Sequence, residues 1–266
     1  SSIPRLVIDS TDRVHMVWSE ADAGNIHYER LALDSGDNSV VVQISRDIFS
    51  GGGYRWFATC PVLALDSQEN IHVVWMDYRD TTAVELYYEM LDSVSGDTLI
   101  DETVVTDNNG DDAQYPSIGV GPGDEITVVF QEWLEDAYEI SMLRLNPAFD
   151  NKDGSSADAS EITVLPETLV SEDDGVKSVV PMAVVDEQGN VRIAYYDSYS
   201  SWYTYPGFVK YRVVDPDASI LRDLTLTWED TASTYTDWTL PFISVSGITS
   251  YVTFSDEGSG DLQVLL

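Results

Sequence analysis

Residues 61–91 read PVLALDSQENIHVVWMDYRDTTAVELYYEML, and apolar and polar side chains alternate along them with a period of about two. β-Branched and aromatic residues dominate these stretches, which predicts strands rather than helices. The predicted strands are PVLALD (61–66), IHVVWMD (71–77), ELYYEML (85–91) and TLIDETVVT (98–106). Because short turns join them, they predict a four-stranded antiparallel meander.

The same pattern occurs five times along the chain. Each copy opens on a proline and ends on an aromatic residue, one spacer and a carboxylate, 15 or 16 residues after the proline. The prolines are Pro4, Pro61, Pro116, Pro181 and Pro241, and the carboxylates are Glu20, Asp77, Glu132, Asp197 and Asp256. A single meander cannot bury both of its faces, so this repeat predicts the blades of a β-propeller. Tandem immunoglobulin-like domains need about seven strands per copy, which this repeat is too short to hold.

We therefore predict an all-β fold, with one propeller domain spanning residues 1–266. The blades are expected at about 1–45, 58–106, 113–170, 178–227 and 238–266. The first four have four strands and the fifth has three. An incomplete fifth blade fits a ring closed by packing alone, self-assembly through a strand donated by another chain, or a domain of a larger protein. We expect the last of these.

Two segments carry a family resemblance. VIDSTDRVHMVWSE…NIHYERL (7–31) and LDSQENIHVVWMDYRD…ELYYEML (65–91) resemble the repeats of sialidase-like propellers, although the Asp-box of that family, Ser-x-Asp-x-Gly-x-x-Trp, is only echoed. The resemblance implies a surface or secreted protein of bacteria or archaea and leaves the activity open.

The charge of the chain excludes several functions. It has 47 acidic and 13 basic side chains, a net charge of −34 and a pI of about 4.1. Such a polyanion does not neutralise phosphates, so we expect no nucleic-acid binding. The sequence contains no run of about 18 apolar residues, so we expect no membrane insertion. The acidity fits a halophilic setting, or a calcium-rich one outside the cell or at its surface. The alternative is an acidic surface that only prevents self-association. The single Cys60 excludes an internal disulfide.

Antiparallel geometry sorts the loops onto two ends of the propeller. The start of each first strand and the end of each second strand share one end, which we call the loop face. The five strand-end carboxylates and several aromatic residues fall there, which favours binding of a glycan or a protein. The candidate ligand-binding residues are Tyr54, Trp56, Trp133, Trp202, Tyr203, Tyr205, Glu20, Asp77, Glu132, Asp197 and Asp256. The alternative for the carboxylates is a structural role, in which they accept backbone N–H bonds.

A calcium loop is a further candidate. Asp107, Asn109 and Asp111 alternate as the oxygen ligands of hard cations do. The rest of an EF-hand loop is absent, so the alternative is a solvated acidic turn.

Three functions remain open. The first is a non-catalytic extracellular binding or adhesion module, because no arginine triad for an anionic substrate is evident: Arg46, Arg55 and Arg79 all cluster around the second blade. The second is a structural subunit of a lattice or filament with bridging divalent cations. The third is a glycoside hydrolase, which needs only two suitably spaced carboxylates, although the sequence singles out no pair.

Overall fold

The computed structural model is all-β, with nineteen strands in five antiparallel sheets among its described residues. Four sheets have four strands and the last has three, which confirms the predicted blades. No helix in this part of the chain is long and apolar enough to cross a bilayer. The structure describes residues 4–20, 25–32, 40–43, 58–79, 83–107, 109–147, 162–198, 207–226, 241–246, 249–256 and 261–265.

In every sheet the strands follow one another in chain order, and we label them A to D within each blade. Blade 1 contains β1 (Arg5–Ile8), β2 (Arg13–Glu20), β3 (Asn25–Ala32) and β4 (Val40–Gln43). Blade 2 contains β5 (Thr59–Leu65), β6 (Ile71–Asp77), β7 (Glu85–Leu91) and β8 (Thr98–Val104). Blade 3 contains β9 (Ala113–Val120), β10 (Ile126–Leu134), β11 (Ala137–Leu145) and β12 (Thr163–Leu169). Blade 4 contains β13 (Lys177–Val185), β14 (Val191–Ser198), β15 (Gly207–Val214) and β16 (Ile220–Thr225). Blade 5 contains β17 (Phe242–Ser246), β18 (Thr249–Asp256) and β19 (Asp261–Leu265).

The A strands of successive blades lie side by side and are the inner strands of the propeller. β1 packs along β5, β5 along β9, β9 along β13, and β13 along β17. Apolar clusters fill the space between successive blades; Val17 of blade 1 and Trp75 of blade 2, for example, belong to one cluster. The core is thus divided among the blade junctions, as in a propeller.

The repeated proline produces a bulge in the inner strands. Proline has no N–H for the strand ladder, and the A–B pairing shifts register at this point in blades 2, 3 and 4. The residue before the proline has a positive φ in each case: 50° at Cys60, 52° at Tyr115 and 54° at Val180. The freed N–H of Val180 donates to Oε1 of Gln131 in the preceding blade at 2.9 Å. The bulge therefore links neighbouring blades close to the loop face.

Candidate functional site

Two of the strand-end carboxylates are paired with basic side chains of their own blade. Glu20 is exposed, with Oε2 lying 3.3 Å from Nε2 of His27. Asp197 accepts a hydrogen bond from Oγ of Ser178 at 2.7 Å, and its Oδ2 lies 3.7 Å from Nζ of Lys210.

In blade 2, an arginine lies between two carboxylates. Nε of Arg79 donates to Oδ2 of Asp77 at 2.7 Å, and its NH1 group donates to Oε2 of Glu102 at 2.8 Å. Burial disfavours the charged guanidinium, but the two carboxylates outweigh this effect and raise the pKa of Arg79. Asp77 is therefore bound within the fold by an ion pair.

Two acidic side chains of blade 3 and one from the connection between blades 2 and 3 meet in what we call the blade 3 carboxyl cluster. One carboxylate oxygen each of Asp107, Glu132 and Glu167 lies within 4.8 Å of the others. Glu132 is only 6% exposed, Glu167 is half-buried and Asp107 is exposed. The backbone N–H of Asp107 donates to Oε1 of Glu167 at 2.7 Å, and Oγ of Ser141 donates to Oε2 of Glu132 at 2.9 Å. Within the described part of the chain, no arginine or lysine forms an ion pair with the cluster.

The carboxylates of blades 2 and 3 occupy equivalent positions. Asp77 and Glu132 both lie 16 residues after the proline of their blade. Glu102 and Glu167 also occupy equivalent positions. The residue after strand D, Val105 in blade 2 and Val170 in blade 3, donates its backbone N–H to strand C, and each glutamate lies three residues before it. The difference is two residues beyond the strand-end carboxylate, where blade 2 has Arg79 and blade 3 has Leu134.

Among the described residues, the blade 3 carboxyl cluster lacks an arginine like Arg79, and the pKa values of its glutamates are raised. Burial raises the pKa of Glu167, and the charges of Glu132 and Asp107 raise it further, to about 8. Burial likewise raises the pKa of Glu132. Two adjacent carboxyl groups, one buried and one half-buried, cannot both ionise cheaply, so the Glu132–Glu167 pair retains a proton at neutral pH.

A second buried carboxyl group has a structural role. Glu139 is fully buried and accepts a hydrogen bond from Oγ of Ser171 at 2.5 Å, and burial raises its pKa to about 7. Blade 2 repeats the contact, because Oγ1 of Thr106 donates to Oε2 of Glu85 at 2.5 Å. In both blades the hydroxyl also accepts a backbone N–H from strand C. This recurrence ties the end of strand D to the start of strand C.

The predicted calcium loop is divided in the structure. Oδ1 of Asp107 accepts the N–H of Asn109 at 3.1 Å, and Oδ1 of Asn109 accepts the N–H of Asp111 at 2.7 Å. Asp107 joins the blade 3 carboxyl cluster, whereas Asp111 is not among the three grouped residues. Glu167 was not among the residues predicted from the sequence. Alignment of the D strands of blades 2 and 3 would have revealed it.

Trp133 is one of the predicted aromatic residues, and the structure describes its contacts. It lies edge-on to Tyr138, with ring centroids 4.9 Å apart, and Nζ of Lys177 from blade 4 lies 5.4 Å from its ring centroid. These contacts pack Trp133 against the neighbouring blade. The other predicted aromatic residues lie outside the described residues: Tyr54, Trp56, Trp202, Tyr203 and Tyr205. Asp256 ends β18 as expected, and its side chain also lies outside them.

Comparison with known proteins reveals similarity in structure. No family model and no curated protein matches the sequence. The α-L-arabinanase of Penicillium chrysogenum, complexed with arabinobiose, gives a TM-score of 0.59 at 15% identity, over 99% of this chain and 77% of that one. An ulvan lyase bound to a glucuronate and sulfated-rhamnose ligand gives 0.55 at 12% identity, over 95% of this chain and 63% of that one. The α-L-arabinofuranosidase of Fusarium graminearum, with arabinobiose, gives 0.54 at 12% identity, over 95% and 73%.

These similarities confirm the all-β propeller-type fold, and the chain spans less than two thirds of the ulvan lyase. The similar structures named here are glycoside hydrolases and a polysaccharide lyase, and no family model supports the sialidase-like resemblance of the repeats. The expectation of a non-catalytic binding module is wrong on this comparison, because the similar structures are mostly carbohydrate-active enzymes.

Proposed function

We propose that the chain is a glycoside hydrolase, with the blade 3 carboxyl cluster as its acid–base site. The observation that carries this proposal is the Glu132–Glu167 pair, which retains a proton at neutral pH without a described cationic partner. Glycoside hydrolysis needs one protonated and one ionised carboxyl group side by side. The similarity to arabinan-degrading hydrolases supports the same class of reaction.

Exposure and spacing assign the roles. Glu167 would protonate the glycosidic oxygen while the exposed Asp107 carboxylate attacks the anomeric carbon, so that the leaving sugar departs and a glycosyl ester forms. Glu167 would then take a proton from water, which hydrolyses the ester and frees Asp107. Reacting oxygens within 4.8 Å of one another leave no space for an intervening water, which favours this retaining route over inversion. Glu132 is a positioning residue, because its charge keeps Glu167 protonated.

The charge of the chain points to a neutral substrate. A net charge of −34 repels polyanions, so a neutral polysaccharide such as arabinan fits better than a sulfated or uronate-rich one. We further propose an extracellular or cell-surface location, because polysaccharides are too large to cross a membrane.

The test measures release of reducing ends from arabinan and other neutral polysaccharides. Glu167→Gln should lower kcat by about 10²–10⁴-fold, the usual contribution of a general acid. Glu102→Gln is the matched control, because it removes the equivalent carboxylate in blade 2 and should retain activity. Full activity of Glu167→Gln, or no release from any neutral polysaccharide by the wild-type chain, would overturn the proposal. An unsaturated product would instead indicate a lyase.

A second candidate function of the same cluster is binding of a divalent cation such as Ca²⁺. Three carboxylate oxygens within 4.8 Å of one another match the ligand type and spacing of calcium sites, and Asn109 adds a nearby amide. If this holds, millimolar calcium raises the melting temperature of the wild-type chain relative to chelator, and Glu167→Gln loses that rise. An equal response in both proteins would place calcium elsewhere on the acidic surface.

A further inference from the structure

The connection between blades 2 and 3 contains the single Asn-Gly pair of the sequence, Asn109–Gly110. Both residues are exposed, and Gly110 has a φ of 97°. A Cβ built on Gly110 would meet nothing within 4 Å, so open space lies on that side of the residue. A glycine after an asparagine lets its own backbone nitrogen approach the asparagine side chain closely. The pair is therefore a candidate site of chemical modification.

A hydrogen bond at this pair activates the side-chain amide. Oδ1 of Asn109 accepts the backbone N–H of Asp111 at 2.7 Å. When the nitrogen of Gly110 attacks Cγ of Asn109, negative charge develops on Oδ1. A backbone N–H that already points at this oxygen stabilises the developing charge, as the donors of an oxyanion hole do.

The nitrogen of the same amide lies beside the blade 3 carboxyl cluster. The Asn109 side chain hydrogen-bonds Glu132 and opposes the rise in the pKa of that carboxyl group, as an N–H donated by Nδ2 does. Ammonia can leave only after Nδ2 has gained a proton, and the Glu132–Glu167 pair retains one at neutral pH. The leaving nitrogen therefore contacts a group that can act as a general acid.

The connection between blades 3 and 4 repeats this arrangement with an aspartate. Asp174 and Asn109 both lie five residues after the end of strand D of their blade. Oδ1 of Asp174 accepts the N–H of Val176 at 2.9 Å, and the intervening Gly175 has a φ of 75°. An aspartate at this position is therefore compatible with the same backbone, which means that the product of deamidation fits the fold.

We propose that the chain deamidates its own Asn109, with the blade 3 carboxyl cluster as the acid. The nitrogen of Gly110 bonds to Cγ of Asn109 and gives its proton to solvent. The Cγ–Nδ2 bond breaks as Nδ2 takes a proton from the Glu132–Glu167 pair, which regains one from solvent. Ammonia leaves a cyclic imide, which water opens to aspartate or isoaspartate. The net reaction consumes one water and releases one ammonia.

The modification changes the site that performs it. It adds a fourth carboxylate to the three of the cluster and removes the Nδ2 donor from Glu132. Both changes disfavour ionisation, so the Glu132–Glu167 pair holds its proton to higher pH. The inference uses the same cluster as the proposed hydrolase but needs no polysaccharide, so either can fail while the other holds.

Peptide mapping by mass spectrometry after incubation at neutral pH measures the conversion of Asn109. The folded chain should deamidate there about 10²-fold faster than the same chain unfolded in urea, the lower end of what a positioned general acid contributes. This ratio should fall as pH rises through about 8, where the pair loses its proton. Glu167→Gln should bring the folded rate close to the unfolded one, whereas Glu102→Gln in blade 2 leaves it unchanged.

Asp174→Asn supplies a matched control within one molecule. It creates a second Asn-Gly pair with the same backbone arrangement but with different acids nearby. Asp197 is paired with Lys210, whose Nζ lies 3.7 Å from Oδ2, and Glu139 is fully buried. Position 109 should deamidate about 10²-fold faster than position 174 in this variant.

Two results would overturn the proposal. Equal rates at positions 109 and 174 would assign the reaction to the backbone arrangement alone. A folded chain that deamidates no faster than the unfolded one would show that the cluster donates no proton to the leaving nitrogen.

Discussion

Blades 2 and 3 place the same two carboxylates at the same positions but give them different surroundings. In blade 2, Arg79 bridges Asp77 and Glu102. In blade 3, Leu134 stands at the position of the arginine, and Glu132 and Glu167 lie together with Asp107.

The comparison shows how one repeat can hold both a structural and a functional pair. A buried ion pair is satisfied and chemically inert, whereas a buried and a half-buried carboxyl group without a cation share a proton and are ready for acid–base chemistry. The two blades differ two residues beyond the strand-end carboxylate, where blade 2 has Arg79 and blade 3 has Leu134, so the comparison can be tested by mutation in both directions.

The largest expected effect comes from giving blade 3 the arginine of blade 2. Leu134→Arg should place a guanidinium between Glu132 and Glu167 and lower the pKa of both. Glu167 would then be ionised at neutral pH, and kcat on a neutral polysaccharide should fall by about 10²–10⁴-fold. Leu134→Met, which keeps an apolar side chain of similar volume, is the control and should retain activity. An active Leu134→Arg enzyme would break the comparison.

The converse substitution should reduce stability rather than activity. The Arg79 side chain is 6% exposed, so Arg79→Leu leaves Asp77 and Glu102 facing each other without their cation. Removing one partner of a buried ion pair typically costs about 3–5 kcal/mol of unfolding free energy. Urea unfolding at neutral pH measures this loss, which should shrink at acidic pH as the carboxyl groups become protonated. A loss of less than about 1 kcal/mol would place the pair in the class of surface ion pairs.

A smaller effect is expected in the pH dependence of stability. Because the pKa of Glu167 in the fold is about 8 and lies above its unfolded value, the folded chain binds the extra proton. The stability that this group contributes is complete below its unfolded pKa and is lost as pH rises through about 8. Glu139, with a pKa of about 7, acts in the same direction. Unfolding curves between about pH 5 and pH 9 should therefore decline less steeply for Glu167→Gln than for the wild-type chain. Parallel curves for the two proteins would contradict the shifted pKa.

The fold was predictable from the sequence because several independent sequence features recur in each repeat. The proline, the aromatic residue and the strand-end carboxylate recur at nearly constant spacing, and the register follows from the period of two. The inner-strand bulge at Cys60, Tyr115 and Val180 was not predicted. The proline indicates where the strand pairing is interrupted, but it does not indicate that the preceding residue has a positive φ.

The site was only half predictable. Glu132 and Asp107 were both candidates, but in two different roles, since one ends a strand and the other lies in a loop. Glu167 was missed because it lies on strand D, more than thirty residues along the chain from Glu132. The Glu132–Glu167 pair is distinguished by Leu134, which stands where blade 2 has Arg79. This difference is recognised only when the structure of blade 2 shows that Arg79 binds both of its carboxylates.

The most direct test of this account is the titration of the Glu167 carboxyl group by ¹³C NMR, assigned with Glu167→Gln. We expect a pKa of about 8 for Glu167, and a lower pKa in the Leu134→Arg variant. A Glu167 carboxyl that titrates near the ordinary value of about 4.3 would show that the pair holds no proton at neutral pH and would contradict the proposed acid.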